Sequence, residues 1–431
     1  MKVAFYTLGC KVNQYESQAM AEKLKDNGYT VVDSKTEADI YIVNSCTVTA
    51  FADKKTRQAV RRFKKEHPEA IVVLTGCMPQ AYPEDADKLI EADIVTGNKS
   101  NDKLLSMLDT YSKFGKRVVD ISLHKKGDGF NSCSITSFDE RTRAYVKIQD
   151  GCNRFCSYCI IPTSRGRVRS KDPEELKKEL KALAENGFSE VVLVGINLSS
   201  YGSDNGHTFP EAVRIANDTE GIKRVRLGSL EPDHLTDEVI GELAKCEKLC
   251  PQFHISLQSG CDNTLKSMNR HYTADEYRSL AAKLRSTFSD CTLTTDVMVG
   301  FAGETEEDFR ESLDFVKEIG FEKVHVFPYS IRTGTRAEKF DGHLPKHVKD
   351  ERCKIMIDET DKMRLDFFRT QIGKTVSVLF ETKTKDGFIC GHTPNYTPVK
   401  VKSPHDFCGE IRDVKIISVS DDDFCIGELI L

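Results

Sequence analysis

Apolar positions recur along the chain with two periods, and the chain divides where the pattern changes. In residues 1–112, short apolar runs at 3–8, 39–44, 70–75 and 93–96 alternate with polar stretches of helical period. Such alternation predicts βαβ units around an open parallel sheet. The first helix is expected to be capped by Asn13, with Glu16 three residues on, and to close at Gly28; the second opens near Asp53. Residues 113–140 lose the period and gather Gly, Ser, Asn and Asp, as an interdomain linker does.

Residues 141–370 resume the alternation with six strands: AYVKIQ, VVLVG, RVRLGSL, FHISLQ, LTTDVMVGF and KVHVFPYS. Helices are predicted at 172–186, from about 208, and from Thr236, Thr273 and Glu304. Six strands are too few to close an eight-stranded barrel, so a partial barrel or an open sheet follows. After a polar amphipathic helix at about 350–370, residues 371–431 carry five short β segments parted by Gly, Pro and Asp. These predict a small antiparallel barrel of the OB sort. The fold class is α/β with a β-barrel at the end.

Composition narrows the setting. At 431 residues the chain exceeds the roughly 250–300 at which one core stops growing. It is 30 % charged, with no apolar run near the ~20 residues a membrane span needs, so no membrane partner is expected. The N-terminus lacks a signal peptide's apolar stretch, which points to the cytoplasm. There, fifteen cysteines read as metal ligands, catalytic groups or small buried residues rather than disulfides. A net charge of -5 does not mark a nucleic-acid binder, but salt screens exposed charges beyond about 10 Å, so local patches decide.

Three cysteines, Cys152, Cys156 and Cys159, fall within the stretch GCNRFCSYCIIP. Structural zinc wants four ligands, yet no Cys or His follows within thirty residues, and the nearest cysteine before them, Cys133, is on the linker. A disulfide needs an even number and an oxidising compartment. An iron–sulfur cluster on three thiolates with one iron open meets neither objection; zinc completed from a distance stays as the alternative. Cys10, Cys46 and Cys77 each sit just past an apolar run, at the strand ends where open α/β sheets bind ligands. They are a second ligand trio or three buried thiols.

Four further segments lie at strand ends: LVGINLSSYG, RLGSLEPD, HISLQSGCDNTLKSMNR and TTDVMVGFAGETEEDF. Gly195, Gly300 and Gly303 would let backbone approach a ligand closely, or simply form turns. Asn197, Ser229 and Gln258 offer polar tips, and Glu231 a carboxylate for a ribose hydroxyl. Two basic stretches flank the cysteines. One holds Lys54, Lys55, Arg57, Arg61 and Arg62, the other Arg165, Arg167 and Arg169. Each is a phosphate-binding face or a solvated one. Phe388 and Tyr396 of the last domain are base-stacking or core aromatics. Cys246 and Cys250 have helical spacing, but these and the other cysteines read as core or surface thiols.

Taken together, a strand, a C-x3-C-x2-C loop and a partial barrel resemble the radical S-adenosylmethionine (SAM) superfamily, with Tyr158 as the aromatic common before its third cysteine. TLGCKVNQYES, IVNSCTVT and LTGCMPQ, around Cys10, Cys46 and Cys77, resemble the three motifs of the methylthiotransferase N-terminal domain. The four strand-end segments resemble that branch's SAM-contacting segments, with Ala302 where a proline is expected. Residues 371–431 resemble the TRAM domain of RNA-modifying enzymes. The resemblance divides the chain into an N-terminal domain (1–112), a linker (113–140), a radical SAM domain (141–370) and TRAM (371–431).

This resemblance implies two 4Fe–4S clusters. On Cys152, Cys156 and Cys159 the open iron would chelate SAM, whose cleavage yields a 5′-deoxyadenosyl radical. On Cys10, Cys46 and Cys77 the open iron would hold sulfur that accepts a methyl group from a first SAM. The activity implied is replacement of C–H by C–S–CH3. KVNQ after Cys10 and VNSCTVT most resemble the branch acting on N6-threonylcarbamoyladenosine at position 37, in the anticodon loop of tRNA. The isopentenyladenosine and ribosomal-protein branches are the alternatives. A one-electron reductant such as flavodoxin or ferredoxin, and a sulfur donor, are implied partners. The rival of another class is a non-catalytic iron–sulfur or zinc RNA-binding module.

Overall fold

The computed structural model describes residues 1–138 and 142–430. The first sheet consists of β1 (Lys2–Thr7), β2 (Thr30–Val32), β3 (Ile40–Ser45), β4 (Ile71–Gly76), β5 (Ile94–Thr96) and β6 (Val118–Asp120). Its order is β2-β1-β3-β4-β5-β6 and every pair is parallel. Strands β3 and β4 are buried along their whole length, because helices cover both faces and leave two apolar layers.

Three expectations are corrected here. Asn13 does not cap the first helix, Lys11–Asp26; Cys10 holds that position. Asn13 instead lies within the first turn and donates to the Leu8 and Ser45 carbonyls, tying helix to sheet. The second helix, Ala50–Glu66, opens earlier than Asp53 because Thr49 caps it, accepting from the Ala52 amide. The segment read as a linker contributes β6, which pairs with β5; three residues are too short a run to show a period. The 140/141 boundary lies outside the described residues.

The second unit is a partial barrel. Strands β7 (Arg143–Lys147), β10 (Glu190–Val194) and β11 (Arg224–Leu227) form one parallel wall. Strands β12 (Ser229–Leu230), β13 (Gln252–Ile255), β14 (Thr292–Val299) and β15 (Lys323–Pro328) form the next. Between the first two comes a short antiparallel ribbon, β8 (Gln149–Asp150) with β9 (Arg169–Ser170). The outer helices start where the sequence says, behind Asp172, Thr208, Thr236, Thr273 and Thr305 caps. Helix Asp262–Ser267, only six residues, was not foreseen. The edge strands are both covered: helix Lys11–Asp26 packs on β7 and helix Lys346–Gln371 on β15.

The last unit is a closed barrel of β16 (Thr375–Lys383), β17 (Phe388–His392), β18 (Pro398–Lys402), β20 (Cys425–Leu429) and β19 (Ile411–Val419), in that order. It is antiparallel except for the β18–β20 pair. The exception is geometric: five strands in a ring cannot all alternate in direction. Three arginines at the floor of the partial barrel hold this unit. Arg224 donates to the His392 carbonyl (3.1 Å) and to the Ser377 hydroxyl (2.6 Å), and Arg226 to the Thr393 and Pro394 carbonyls. Arg143 pairs with Glu381 at 2.8 Å. The Tyr396 ring stacks on His392 and lies against Arg143 and Arg226, so it plugs the floor.

Arg224→Met is therefore expected to loosen the terminal barrel by about 2 kcal/mol, the scale of hydrogen bonds from a charged donor. Limited proteolysis near residue 372 should release it faster than from wild type, and an unchanged cleavage rate contradicts this docking.

Candidate active site

The parallel sheet brings Cys10, Cys46 and Cys77 together from the carboxyl ends of β1, β3 and β4. Gly9 permits the approach: its φ is +107°, and a Cβ there would sit 2.8 Å from the Cys46 Cβ. Burial raises the Cys46 thiol above its ordinary pKa and pushes Cys77 up to about 12, while Arg165 opposes both shifts. Among the described residues, the Arg165 Nε lies 3.3 Å from the Cys77 sulfur and the Asn98 amide 3.8 Å. Cys10 is the N-cap residue of the long helix Lys11–Asp26, so its side chain stands at the positive end of the helix dipole.

Cys152, Cys156 and Cys159 sit on the loop after β8, again at the carboxyl end of the barrel strands. The loop folds tightly against its own return: Gly151 has φ +73°, and a Cβ there would meet the Arg167 carbonyl at 1.9 Å. Cys152 N–H donates to the Gly166 carbonyl and Cys159 N–H to that of Cys156. Three N–H donors face the sulfurs. They are the Arg154 amide (3.5 Å) and Asn197 Nδ2 (3.7 Å) at Cys152, and Arg270 Nη1 (3.2 Å) at Cys156. Burial, then the neighbouring Cys156, raises the pKa of Cys159.

Neither trio suits a single ion. In neither do all three sulfurs lie within 4.8 Å of one another. A zinc ion with Zn–S of about 2.3 Å cannot hold sulfurs more than about 4.6 Å apart. Wider triads ringed by N–H donors and guanidinium groups fit a cubane cluster, whose hydrogen bonds and local charge tune it. Cys261, Asp308 and Glu311 do lie close enough for one ion, but Asp308 is spent capping helix Glu306–Ile319.

The basic stretch after Cys159 divides in function. Arg165 is fully buried, and all five of its N–H donors are taken. They meet Glu16 twice (2.8 and 2.9 Å), Asn13 (2.9 Å), Asp150 (3.1 Å) and the Cys77 sulfur. Arg169 is buried beside Asp150 and donates to the Arg165 carbonyl. Neither has a donor facing solvent for a phosphate, which corrects their reading as RNA contacts. Arg167 is exposed over the Phe155 ring. Lys54, Lys55, Arg61 and Arg62 are exposed along helix Ala50–Glu66, and Arg57 is partly so. Burial opposes ionisation of Glu16, but Arg165 and Lys147 outweigh it and hold its pKa below the usual carboxylate value.

One chamber of about 590 Å³ lies between Cys10 of the first trio and the strand ends of the partial barrel. Gly9, Cys10 and Lys11 line one side; Gly195, Gly228, Ser229, His254, Asp296 and His325 line the other. Of the residues read as SAM contacts, Gly195 and Ser229 face it. Asn197 is buried against Cys152, and Gln258 is buried with φ +65°, bridging to β14. Glu231 is clamped by Arg270 and Arg154. Gly300 and Gly303 are turned elsewhere. A Cβ at Gly300 would meet the Lys349 side chain, and Gly303 N–H donates to the Gly342 carbonyl. Tyr158 packs edge-on against Phe301. Arg154 and Arg270 escaped the sequence reading, since an arginine inside a loop has no period or spacing to mark it.

Three family profiles match the chain in series: the uncharacterized protein family UPF0004 over residues 2–97, the radical SAM superfamily over 146–316 and the TRAM domain over 369–429. The threonylcarbamoyladenosine tRNA methylthiotransferase MtaB of Bacillus subtilis (strain 168) is 38 % identical, with 96 % of this chain and 93 % of the relative aligned. The chain belongs to the radical SAM methylthiotransferases. Other methylthiotransferase relatives include MtaB of Aquifex aeolicus (39 %, 88 % of this chain, 92 % of the relative). The tRNA-2-methylthio-N(6)-dimethylallyladenosine synthase of Caldicellulosiruptor saccharolyticus is 37 % identical (96 % and 89 %). Among solved structures, the radical SAM methyltransferase TsrM from Kitasatospora setae shares the fold at TM-score 0.57 and 14 % identity, covering 84 % of this chain and 89 % of that one. No helix among the described residues is long and apolar enough to cross a membrane.

In this methylthiotransferase, Arg165→Met leaves Glu16 and Asp150 short of a buried partner. The apo protein should lose on the order of 3–5 kcal/mol, against less than about 0.5 kcal/mol for Arg167→Met. Denaturant melts of the two variants check the contrast; equal losses contradict it.

Proposed function

We propose that this protein adds a methylthio group to C2 of N6-threonylcarbamoyladenosine at position 37 of tRNA. The observation that carries the reading is the chamber with Cys10 of one trio on one wall and Gly195 and Ser229 on the other, Gly195 lying two residues before Asn197, which bonds Cys152 of the second trio. A base placed there meets both sources of chemistry at once. Two relatives named for the same nucleoside, at 38 % and 39 % identity, support that choice of base.

The C2–H bond of adenine gives an acid–base catalyst no useful handle, so its replacement calls for a radical. When bound, 4Fe–4S clusters on the two trios supply that chemistry: SAM cleavage at Cys152, Cys156 and Cys159, and sulfur held at Cys10, Cys46 and Cys77. The chain's own residues hold and shield these centres. Arg154, Asn197 and Arg270 direct N–H groups at the first set of sulfurs, and Arg165 and Asn98 at the second. Ser229, beside the chamber, and Glu231, held by two arginines, stand where polar groups of SAM would be received.

For the RNA, helix Ala50–Glu66 offers Lys54, Lys55, Arg57, Arg61 and Arg62 directly after the Cys46 loop, and Arg167 lies beside the other loop. Phosphates of an anticodon stem approaching the chamber would meet them. The terminal TRAM barrel would add a second RNA contact from the floor of the partial barrel. A one-electron reductant such as flavodoxin or ferredoxin and a sulfur donor complete the cycle. Fifteen free thiols suit the reducing cytoplasm.

Mass spectrometry of tRNA nucleosides from a deletion strain tests the assignment. The 2-methylthio derivative of threonylcarbamoyladenosine should vanish, its precursor persist, and a plasmid copy restore it. An unchanged level, or loss of the methylthio isopentenyl nucleoside instead, overturns it.

A further inference from the structure

The chamber continues away from the cysteines. Lys11, Tyr145, His254 and His325 line both it and a lower hollow of about 280 Å³ at the amino ends of the barrel strands. Lys11, Lys323, Arg143 and Arg226 bound that hollow, and among the described residues no carboxylate does. Arg143 and Arg226 are answered from behind by Glu381 and Glu190. Lys323 is different. It opens the edge strand β15 and is partly buried, yet its ammonium has no hydrogen-bond or ion-pair partner among the described residues.

A partly buried cation with no carboxylate in hydrogen-bond contact disfavours the folded chain, and such a group in a cleft marks a place for a ligand. Burial, with Arg364 adding to it, holds the Lys323 pKa below the ordinary lysine value, and Asp423 and Asp361, too far away to bond its ammonium, only partly oppose the shift. Within an adenine, N1 separates C2 from C6, the carbon that bears N6, so substituents at the two positions leave the ring in different directions. A base with C2 toward Cys10 sends its N6 group away from the thiols, along the lumen. A threonylcarbamoyl group ends in a carboxylate; an isopentenyl group ends in methyls.

We propose that Lys323, with Lys11 above it, receives the carboxylate of the N6 substituent, and that this hollow selects an anionic nucleoside over a neutral alkylated one. This rests on the nucleoside assigned above. Lys11 opens the KVNQ run beside Cys10, which places one arm of the clamp next to the sulfur-bearing end of the chamber.

The test uses reconstituted holoenzyme and two anticodon stem-loop RNAs, one carrying threonylcarbamoyladenosine and one carrying its neutral threonine amide. By fluorescence anisotropy, wild type should bind the acid about tenfold or more tighter than the amide. Lys323→Met should bring the two within about twofold, and Lys323→Arg should restore the preference. Thermal melts confirm that both variants are folded. If wild type leaves threonylcarbamoyladenosine tRNA unconverted, the nucleoside assignment fails. If it converts that tRNA while Lys323→Met keeps the full preference for the acid, this proposal alone is overturned.

Discussion

The arrangement of both cysteine trios depends on one guanidinium. Arg165 lies six residues past Cys159 in sequence, yet its side chain reaches Cys77, Asn13 and Glu16 of the first domain and Asp150 of the second. A buried arginine is tolerable only when its planar fork is fully matched, and here each of the five donors has an acceptor. Around it, Lys147, Arg165 and Arg169 are three cations against two carboxylates, Glu16 and Asp150. One positive charge is left over, beside the Cys77 sulfur. A thiolate ligand there meets a cation already in place, so the charge balance of the interdomain core is completed by the ligand set itself.

Other cross-links make the same unit rigid. Arg332, from the loop after β15, donates to Thr47 and Asp53 next to Cys46, and the Lys171–Glu179 pair meets Tyr15 on the first helix. The first domain therefore closes the side of the partial barrel that its seven strands leave open. At the floor, arginines on β7 and β11 fix the terminal barrel, and the Tyr396 ring lies against two of them. What remains accessible is the chamber between the trios and the basic hollow beneath it. Chemistry sits at one end of this lumen and charge selection at the other.

Much of this was legible in the sequence, for identifiable reasons. Strands β3, β4 and β10 carry near-continuous apolar runs because both of their faces are buried, so they announce themselves. Cys10, Cys46 and Cys77 could be grouped before any coordinates, since strand ends of one parallel sheet share an edge. Short β6 and helix Asp262–Ser267 fell below the length at which a period shows. The basic stretch 164–171 could not be divided by charge alone. Whether an arginine faces solvent or a buried carboxylate depends on Glu16 and Asp150, one of them 149 positions away. Gly300 lies against Lys349 of a much later helix, a neighbour that the local sequence cannot show. Lys323 gave no sign at all; only the absence of a hydrogen-bond or ion-pair partner among the described residues marks it.

The central claim is that two separate sets of three thiolates each hold a cluster. Iron and acid-labile sulfide per chain, measured after anaerobic reconstitution, test it most directly. Wild type should carry about eight of each, and the Cys10/Cys46/Cys77 and Cys152/Cys156/Cys159 triple-alanine variants about four. A wild type holding about four, or a colourless protein holding zinc, would contradict the account.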